Sequence, residues 1–282
     1  MPALPVSLFD PLWAQFAALL PPHPEVDPTH PLGCHRRRIP DRVVFEHVVA
    51  ALVHGSGYER IATPGCSDRT MRRRVQAWAA AGLLTQLHAL VLAQYDRLIG
   101  LDLRHVCVDG CITKAPRGGD KAGRSPVDRG KQGRKRSILT DAAGIPVHLV
   151  AAGANCPDSH LLRETLSGLN SLGPLPPGLP VHLDRGYAGP RVQAVLADLS
   201  CVGVIPPPGD PAPGHIGERW VVERTHSWLN AFGRLRRCPE RQAIVVNLYL
   251  FLAATIIVIQ QLRRAAFQTY RWPTRSTTRR LR

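Results

Sequence analysis

Apolar residues recur every three to four positions through the first hundred residues, alternate in the middle of the chain, and return to helical spacing after residue 215. Leu12, Phe16, Leu19 and Leu20 form one helical stripe, stopped by Pro21-Pro22. Val44, Phe45, Val48, Val49 and Leu52 form a second, with Asp41 placed to cap its helix. A helical turn at 59–62, a Pro-Gly break and a helix opening at Ser67 or Asp68 follow, the last running through Trp78 to about Gly82. Short helix, tight turn and basic helix together predict a helix-turn-helix over residues 58–82. Met71, Val75 and Trp78 then face inward, and Arg69, Arg72, Arg73 and Gln76 face a DNA groove. The plainer reading of the same pattern is a three-helix cap with a solvated basic face.

In the middle zone, residues 105–112 alternate as a strand bearing Asp109. Residues 114–136 carry nine Lys or Arg, two Asp and five Gly, a composition that predicts a loop. Residues 137–140 and 145–151 flank Asp141-Ala142-Ala143-Gly144 as a β-hairpin. A helix capped by Asp158 or Ser159, a buried strand ending at Asp184, a helix over 189–199 and a strand over 201–205 complete a mixed α/β sheet. Between 244 and 259 the chain is apolar except for Asn247 and Thr255. Sixteen residues fall just short of a membrane span, so a helix buried at the centre of a globular core is the expectation. After it, residues 263–282 hold seven Arg and no acid, the pattern of a basic arm.

Charge sharpens this outline. The 282 residues carry 36 Lys+Arg against 21 Asp+Glu, a formal +15, and 44% are hydrophobic, so a real core is available and a polyanionic partner is favoured. Seven scattered cysteines without a Cys-x-x-Cys fit a reducing cytoplasm better than a disulfide scaffold. The opening Met-Pro-Ala-Leu-Pro lacks the layout of a secretory signal, and no membrane partner is expected.

Three acids stand out by position: Asp109 on a strand, Asp184 at a strand end, and Glu223 on a helix beginning near Glu218. On that helix Val221, Thr225, Trp228, Phe232 and Leu235 form the buried stripe, and Glu223 lies about 200° from Val221, among Arg219, His226, Asn230 and Arg234. Acids of this kind suit two-metal phosphodiester chemistry, in which paired Mg²⁺ ions ~3.5–4 Å apart clamp the attacking and leaving oxygens. Taken singly, Asp109-Gly110 is also a turn dipeptide, Asp184-Arg185 a local ion pair and Arg219-Glu223 an ordinary helix pair.

Four segments carry a resemblance. They are Ser125-Pro126-Val127-Asp128-Arg129-Gly130-Lys131-Gln132-Gly133, the run from Leu139 to Pro146, His182-Leu183-Asp184-Arg185-Gly186-Tyr187, and the run from Arg219 to Leu229. The sequence resembles bacterial insertion-sequence DDE transposases, in the group called insertion-sequence family five within the broader family-four superfamily. The N-terminal block from Leu12 to Gly82 resembles that group's helical DNA-binding domain. The resemblance implies an all-α helix-turn-helix-type domain (residues 1–98), a ribonuclease H-like mixed-sheet α/β catalytic domain (99–265) and a basic tail (266–282). It implies Asp109, Asp184 and Glu223 as catalytic and metal-binding acids, with two Mg²⁺ ions or Mn²⁺ in their place. The family's Tyr-Arg-Glu-Lys helix signature is departed from: Arg219 takes the arginine place, but Ile216 and Asn230 stand where tyrosine and lysine are usual. Arg234 is expected to take over the lysine's phosphate contact. The interval of 39 from Asp184 to Glu223 leaves no room for the insertion domain of some relatives.

The implied partners are double-stranded DNA, both terminal inverted repeats and target, and a second copy of the chain in the synaptic complex. The implied location is the bacterial cytoplasm, on the nucleoid when bound. Lys114, Arg129, Lys131, Arg134, Lys135 and Arg185 join the four groove-facing residues, Arg219 and Arg234 as expected DNA contacts. A host nuclease on the same fold and a non-catalytic DNA-binding regulator are the alternatives. If six to ten phosphates are contacted, duplex affinity should fall by ~10³–10⁵ between 50 and 200 mM salt. Fluorescence anisotropy across that range measures it, and a flat response would argue against the basic segments as the DNA surface.

Overall fold

The computed structural model describes residues 3–22, 38–207 and 219–269. Its first layer is helical: α1 (Val6–Ala17), α2 (Asp41–His54), the single turn α3 (Tyr58–Ile61), α4 (Asp68–Ala80) and α5 (Leu83–Leu98). Ser67 caps α4 by accepting a hydrogen bond from the Thr70 amide, at 3.3 Å. Phe16, Phe45 and Trp78 meet at the layer's centre, with the two phenylalanine rings stacked at 4.4 Å and Trp78 edge-on to Phe16 at 5.0 Å.

Asp41 does not cap α2. Pro40 occupies that position, and the Asp41 carboxylate instead accepts from Arg74 Nη1 at 2.7 Å, with Arg38 Nη2 at 3.1 Å. Both Asp41 and Arg74 are buried, so Arg74, which points inward among the exposed arginines of α4, joins α4 to α2 through a desolvated ion pair.

The sheet follows: β1 (Val106–Lys114), the short β2 (Gly123–Arg124), β3 (Gln132–Asp141), β4 (Pro146–Gly153), β5 (Leu179–His182) and β6 (Cys201–Val204). β3 runs antiparallel to both β1 and β4, whereas β1–β5 and β5–β6 are parallel. The resulting order β4-β3-β1-β5-β6, with β2 added to the end of β3, is the ribonuclease H-like arrangement. Between the parallel strands run α6 (Asp158–Leu166) and α7 (Pro190–Asp198), while α8 (Trp220–Asn230), α9 (Gly233–Arg236) and α10 (Ala243–Thr269) complete the chain.

Two expectations change. The basic stretch 114–136 is not all loop: β3 begins at Gln132, and Arg134, Lys135 and Arg136 lie within it, all buried. Their charges are tolerated because the fold supplies acceptors to Arg134, Lys135 and Arg136. Nor is the helix through Glu223 continuous to Leu235. It stops at Asn230, and α9 starts after an extended Phe232. The break lets Gly233 meet Gly55 backbone to backbone. A Cβ on Gly55 (φ +68°) would lie 2.8 Å from the Gly233 carbonyl carbon, and one on Gly233 2.9 Å from the Gly55 nitrogen.

α10 is long and apolar enough to cross a membrane, but 78% of its most apolar window is buried inside the protein. It packs on α5 and α4 on one side and on β4 on the other, so the helical layer and the sheet share one hydrophobic core. It runs to Thr269, past the expected start of the basic tail. Ile216, Glu218 and the tail beyond 269 lie outside the described residues.

Truncating Asp41 to Ala leaves Arg74 charged and buried beside the remaining apolar wall. Urea unfolding should show a loss of about 3–5 kcal/mol, whereas the double change Asp41→Leu with Arg74→Met should recover most of it.

Candidate active site

The parallel register of β1 and β5 pairs Val106 with Val181 and Cys107 with His182. Carried two residues on, it sets Asp109 near Asp184 on neighbouring strands roughly 4.8 Å apart, close enough for the Asp184 charge to act on Asp109. The Leu183 amide still bonds the Val204 carbonyl at 3.1 Å, which holds the chain straight until Asp184. There it turns into the helical turn Arg185–Tyr187. Asp184 Oδ1 is buried with no hydrogen-bond partner among the described residues.

α8 lies across this pair. Thr225 Oγ1 donates to the Gly144 carbonyl at 2.6 Å and Arg224 to the Ala143 carbonyl at 2.5 Å, pinning the helix to the β3–β4 turn. Arg224 is itself stacked between Trp220 and Trp228, at 4.4 and 4.8 Å. From this fixed helix Glu223 projects with 54% of its side chain exposed, and Arg219 sits between the acids, 3.8 Å from Asp109 and 3.7 Å from Glu223.

Behind Asp109 lies a set of buried polar groups that the helical pattern placed on an open face. His226 Nε2 is 3.8 Å from Asp109 Oδ2. Burial, reinforced by the Arg136 charge, pushes the imidazole down to about 3, so it faces the carboxylate as a neutral ring. Arg136 donates to Asn230 Oδ1 at 2.6 Å and approaches Cys111 Sγ at 3.6 Å. Asn230, in the place of the usual lysine, thus serves a buried arginine. Burial lifts the Asp109 carboxyl to about 6; Arg219 opposes the shift, and the charges of Asp184 and Glu223 add to it.

Residues 8–88 match a family model described as "Putative transposase of IS4/5 family", and residues 100–212, which include Asp109 and Asp184, match "Transposase DDE domain". Over 154 residues the chain is 36% identical to the "Putative transposase for insertion sequence element IS402" of Burkholderia cepacia, spanning 52% of this chain and 73% of that relative. The chain belongs to the IS4/5 family of insertion-sequence transposases. A second relative, the "Insertion element IS402 uncharacterized 16.2 kDa protein" of the same species, is 30% identical over 119 residues, 42% of this chain and 79% of its own. Among solved structures, the Mos1 transposase paired-end complex with left transposon end has a TM-score of 0.34 at 11% identity, covering 89% of this chain and 83% of that one.

As a DDE transposase the protein is a metal-dependent enzyme of DNA cleavage and transfer. Among the described residues no three acidic, histidine or cysteine side chains are gathered tightly enough to enclose an ion. The donor set nevertheless suits a hard divalent cation. Two aspartates are held side by side, one with an unused buried oxygen and the other with its proton affinity raised, and Arg219 stands in as the positive charge.

The transposase's expected DNA contacts divide. Arg69, Arg73 and Gln76 are exposed on α4, and Lys114, Arg129, Lys131 and Arg185 are exposed near the sheet. Arg72 is exposed but ion-paired to Glu59 and Asp68 and lies over the Tyr58 ring at 5.2 Å. Three are not at the surface. Arg134 is 2% exposed and donates to the carbonyls of Gly118, Asp120 and Glu240. Lys135 Nζ is held by Asp158 at 2.6 Å. Arg234 is buried between Tyr58 and Tyr249 and bound to Glu240, because the break after Asn230 turns it away from the face of Glu223. It cannot replace the missing lysine.

The raised Asp109 value has a stability consequence in metal-free protein. The folded state holds this proton more tightly than the unfolded chain, so the contribution is present below about pH 4 and lost as pH rises through 6. Asp109→Asn removes a desolvated charge only where that charge exists. Melting curves in EDTA should show the variant more stable than the parent at pH 8 and indistinguishable from it near pH 4.

Proposed function

We propose that this transposase binds the terminal inverted repeats of its own insertion sequence and catalyses Mg²⁺-dependent strand cleavage and strand transfer, with Asp109, Asp184 and Glu223 as its metal-binding acids. The observation that supports the reading is the pairing of Asp109 with Asp184 on adjacent parallel strands, with Arg219 standing between Asp109 and Glu223. Bound divalent metal, Mg²⁺ or Mn²⁺, supplies Lewis-acid stabilisation to the attacking and leaving oxygens of the phosphodiester.

The chain's own residues do the rest. Asp109 and Asp184 present a fixed pair of oxygens from the sheet, and Glu223 completes the set from a helix braced by Arg224 and Thr225. Arg219, freed from the acids when they bind metal, is placed to meet a phosphate oxygen of the DNA. Neutral His226 offers Asp109 a polar neighbour without competing for its charge. Arg69, Arg73 and Gln76 on α4 are the surface for reading the ends in the major groove. Two ends joined in one reaction call for a homodimer in the synaptic complex, acting in the cytoplasm on nucleoid DNA.

Asp109→Asn, Asp184→Asn and Glu223→Gln should each abolish strand cleavage on a duplex carrying the gene's flanking terminal sequences, while duplex binding survives. Near-normal cleavage by any one variant removes that residue from the mechanism. Equal cleavage of a random duplex by the parent protein would favour a general nuclease instead.

A further inference from the structure

A ribbon of two backbone segments in contact lies between the α4 surface and the acid site. Lys114, the last residue of β1, bridges in parallel to Arg237 just past α9, and its carbonyl accepts from the Cys238 amide at 2.9 Å. Farther along, the Asp120 amide donates to the Arg241 carbonyl at 2.7 Å. Gly119 (φ +92°) lets the two backbones touch: a Cβ there would lie 2.4 Å from the Arg241 carbonyl oxygen. Residues 114–120, which turn at Ala115–Gly118, and 236–242 therefore touch at both ends, and buried Arg134 braces both through the carbonyls of Gly118, Asp120 and Glu240.

The ribbon's charges are sorted. Its two acids are engaged internally: Glu240 is held by Arg234, and Asp120 Oδ2 accepts from the Ala243 amide at 3.1 Å. Its five cations, Lys114, Arg117, Arg236, Arg237 and Arg241, are all exposed, and none has a side-chain hydrogen bond or ion pair among the described residues. Clefts open on either side. One, of about 190 Å³, is shared by Arg117 and Arg241 with Arg72 and Gln76 of α4. The other, of about 680 Å³, is lined by Lys114, Arg236 and Arg237 with His54 and Asn230. Asn230 ends the helix that carries Glu223, seven residues or roughly 10 Å earlier. Lys114 ends the strand that carries Asp109, about 16 Å away and close to five base steps of duplex.

We propose that this ribbon is a rail for the phosphate backbone of duplex DNA, carrying the element end from α4 to the acids. It rests on the transposition reading and adds to it a binding site with four arginines outside the expected set. Five unpaired cations along one edge make contacts that are blind to sequence and set the register in which the scissile phosphate arrives.

The test uses the full chain with Arg236→Gln, Arg237→Gln and Arg241→Gln combined. Binding is measured in EDTA by anisotropy between 50 and 200 mM salt, on a terminal-sequence duplex and on a random one. Three lost phosphate contacts should flatten the slope of log affinity against log salt by about 2.7 on both duplexes. A control combining Arg97→Gln, Arg191→Gln and Arg264→Gln, the same charge change on other exposed faces, should leave the slope unchanged. The single variant Arg117→Gln should shift it by about 0.9, and serves if the triple variant melts early. An unaltered slope in the ribbon variants, or an equal change in the control, overturns the rail. Because binding in EDTA needs no metal, loss of the cleavage reading with the slope effect intact would refute transposition chemistry and leave the rail standing.

Discussion

α10 must bury almost its whole circumference, and the rest of the molecule is arranged so that it can. Its central residues, from Leu248 to Val258, are buried without exception. A helix apolar on every side cannot lie on a surface; it needs a layer on each flank. α4 and α5 supply one flank and β4 the other. At about 25 cal/mol per Å² of apolar surface, this one helix is a large share of what holds the two layers to each other. The helical layer is therefore part of the same cooperative core as the sheet, and Trp78 and Leu87 are in it as fully as Ile138 and Leu139.

A second theme is arginine spent inside the protein. Arg74, Arg134, Arg136 and Arg234 are all nearly inaccessible, and each ties together segments distant in sequence. A planar guanidinium with five donors can satisfy several carbonyls or a carboxylate at once, which a lysine ammonium cannot do in the same geometry. The formal +15 thus overstates the charge available to a polyanion. Of the cations that remain exposed among the described residues, one group lies on the polar face of α4 and another along the ribbon of 114–120 with 236–242.

Much of this was legible along the chain, for identifiable reasons. Alternation and helical spacing report burial directly, so the α4 stripe of Met71, Val75 and Trp78 and the order of strands after residue 105 could be read off. The placing of Asp109 on one strand and of Asp184 at the end of another could be read too, whereas their adjacency follows from a parallel pairing of β1 with β5 that no local pattern announces. What failed was the equation of charge with exposure. Arg134 and Lys135 looked like loop cations because nothing local announces that the Gly118 carbonyl or Asp158 will lie beneath them. Likewise Arg234 fitted the polar face of α8 by spacing, but a two-residue break, set by the tertiary contact of Gly233 with Gly55, rotated it into a slot between two tyrosines.

That glycine contact also bears on how the molecule handles its substrate. With no side chain on either partner, the end of α2 and the start of α9 are separated by nothing but backbone, a joint with no play in it. A protein with a supple linker at this point could swing its reading head to meet a stiff double helix. On the proposed transposition reading, the helical layer and the acid site would then move together, and a duplex touching both would have to adapt its own course.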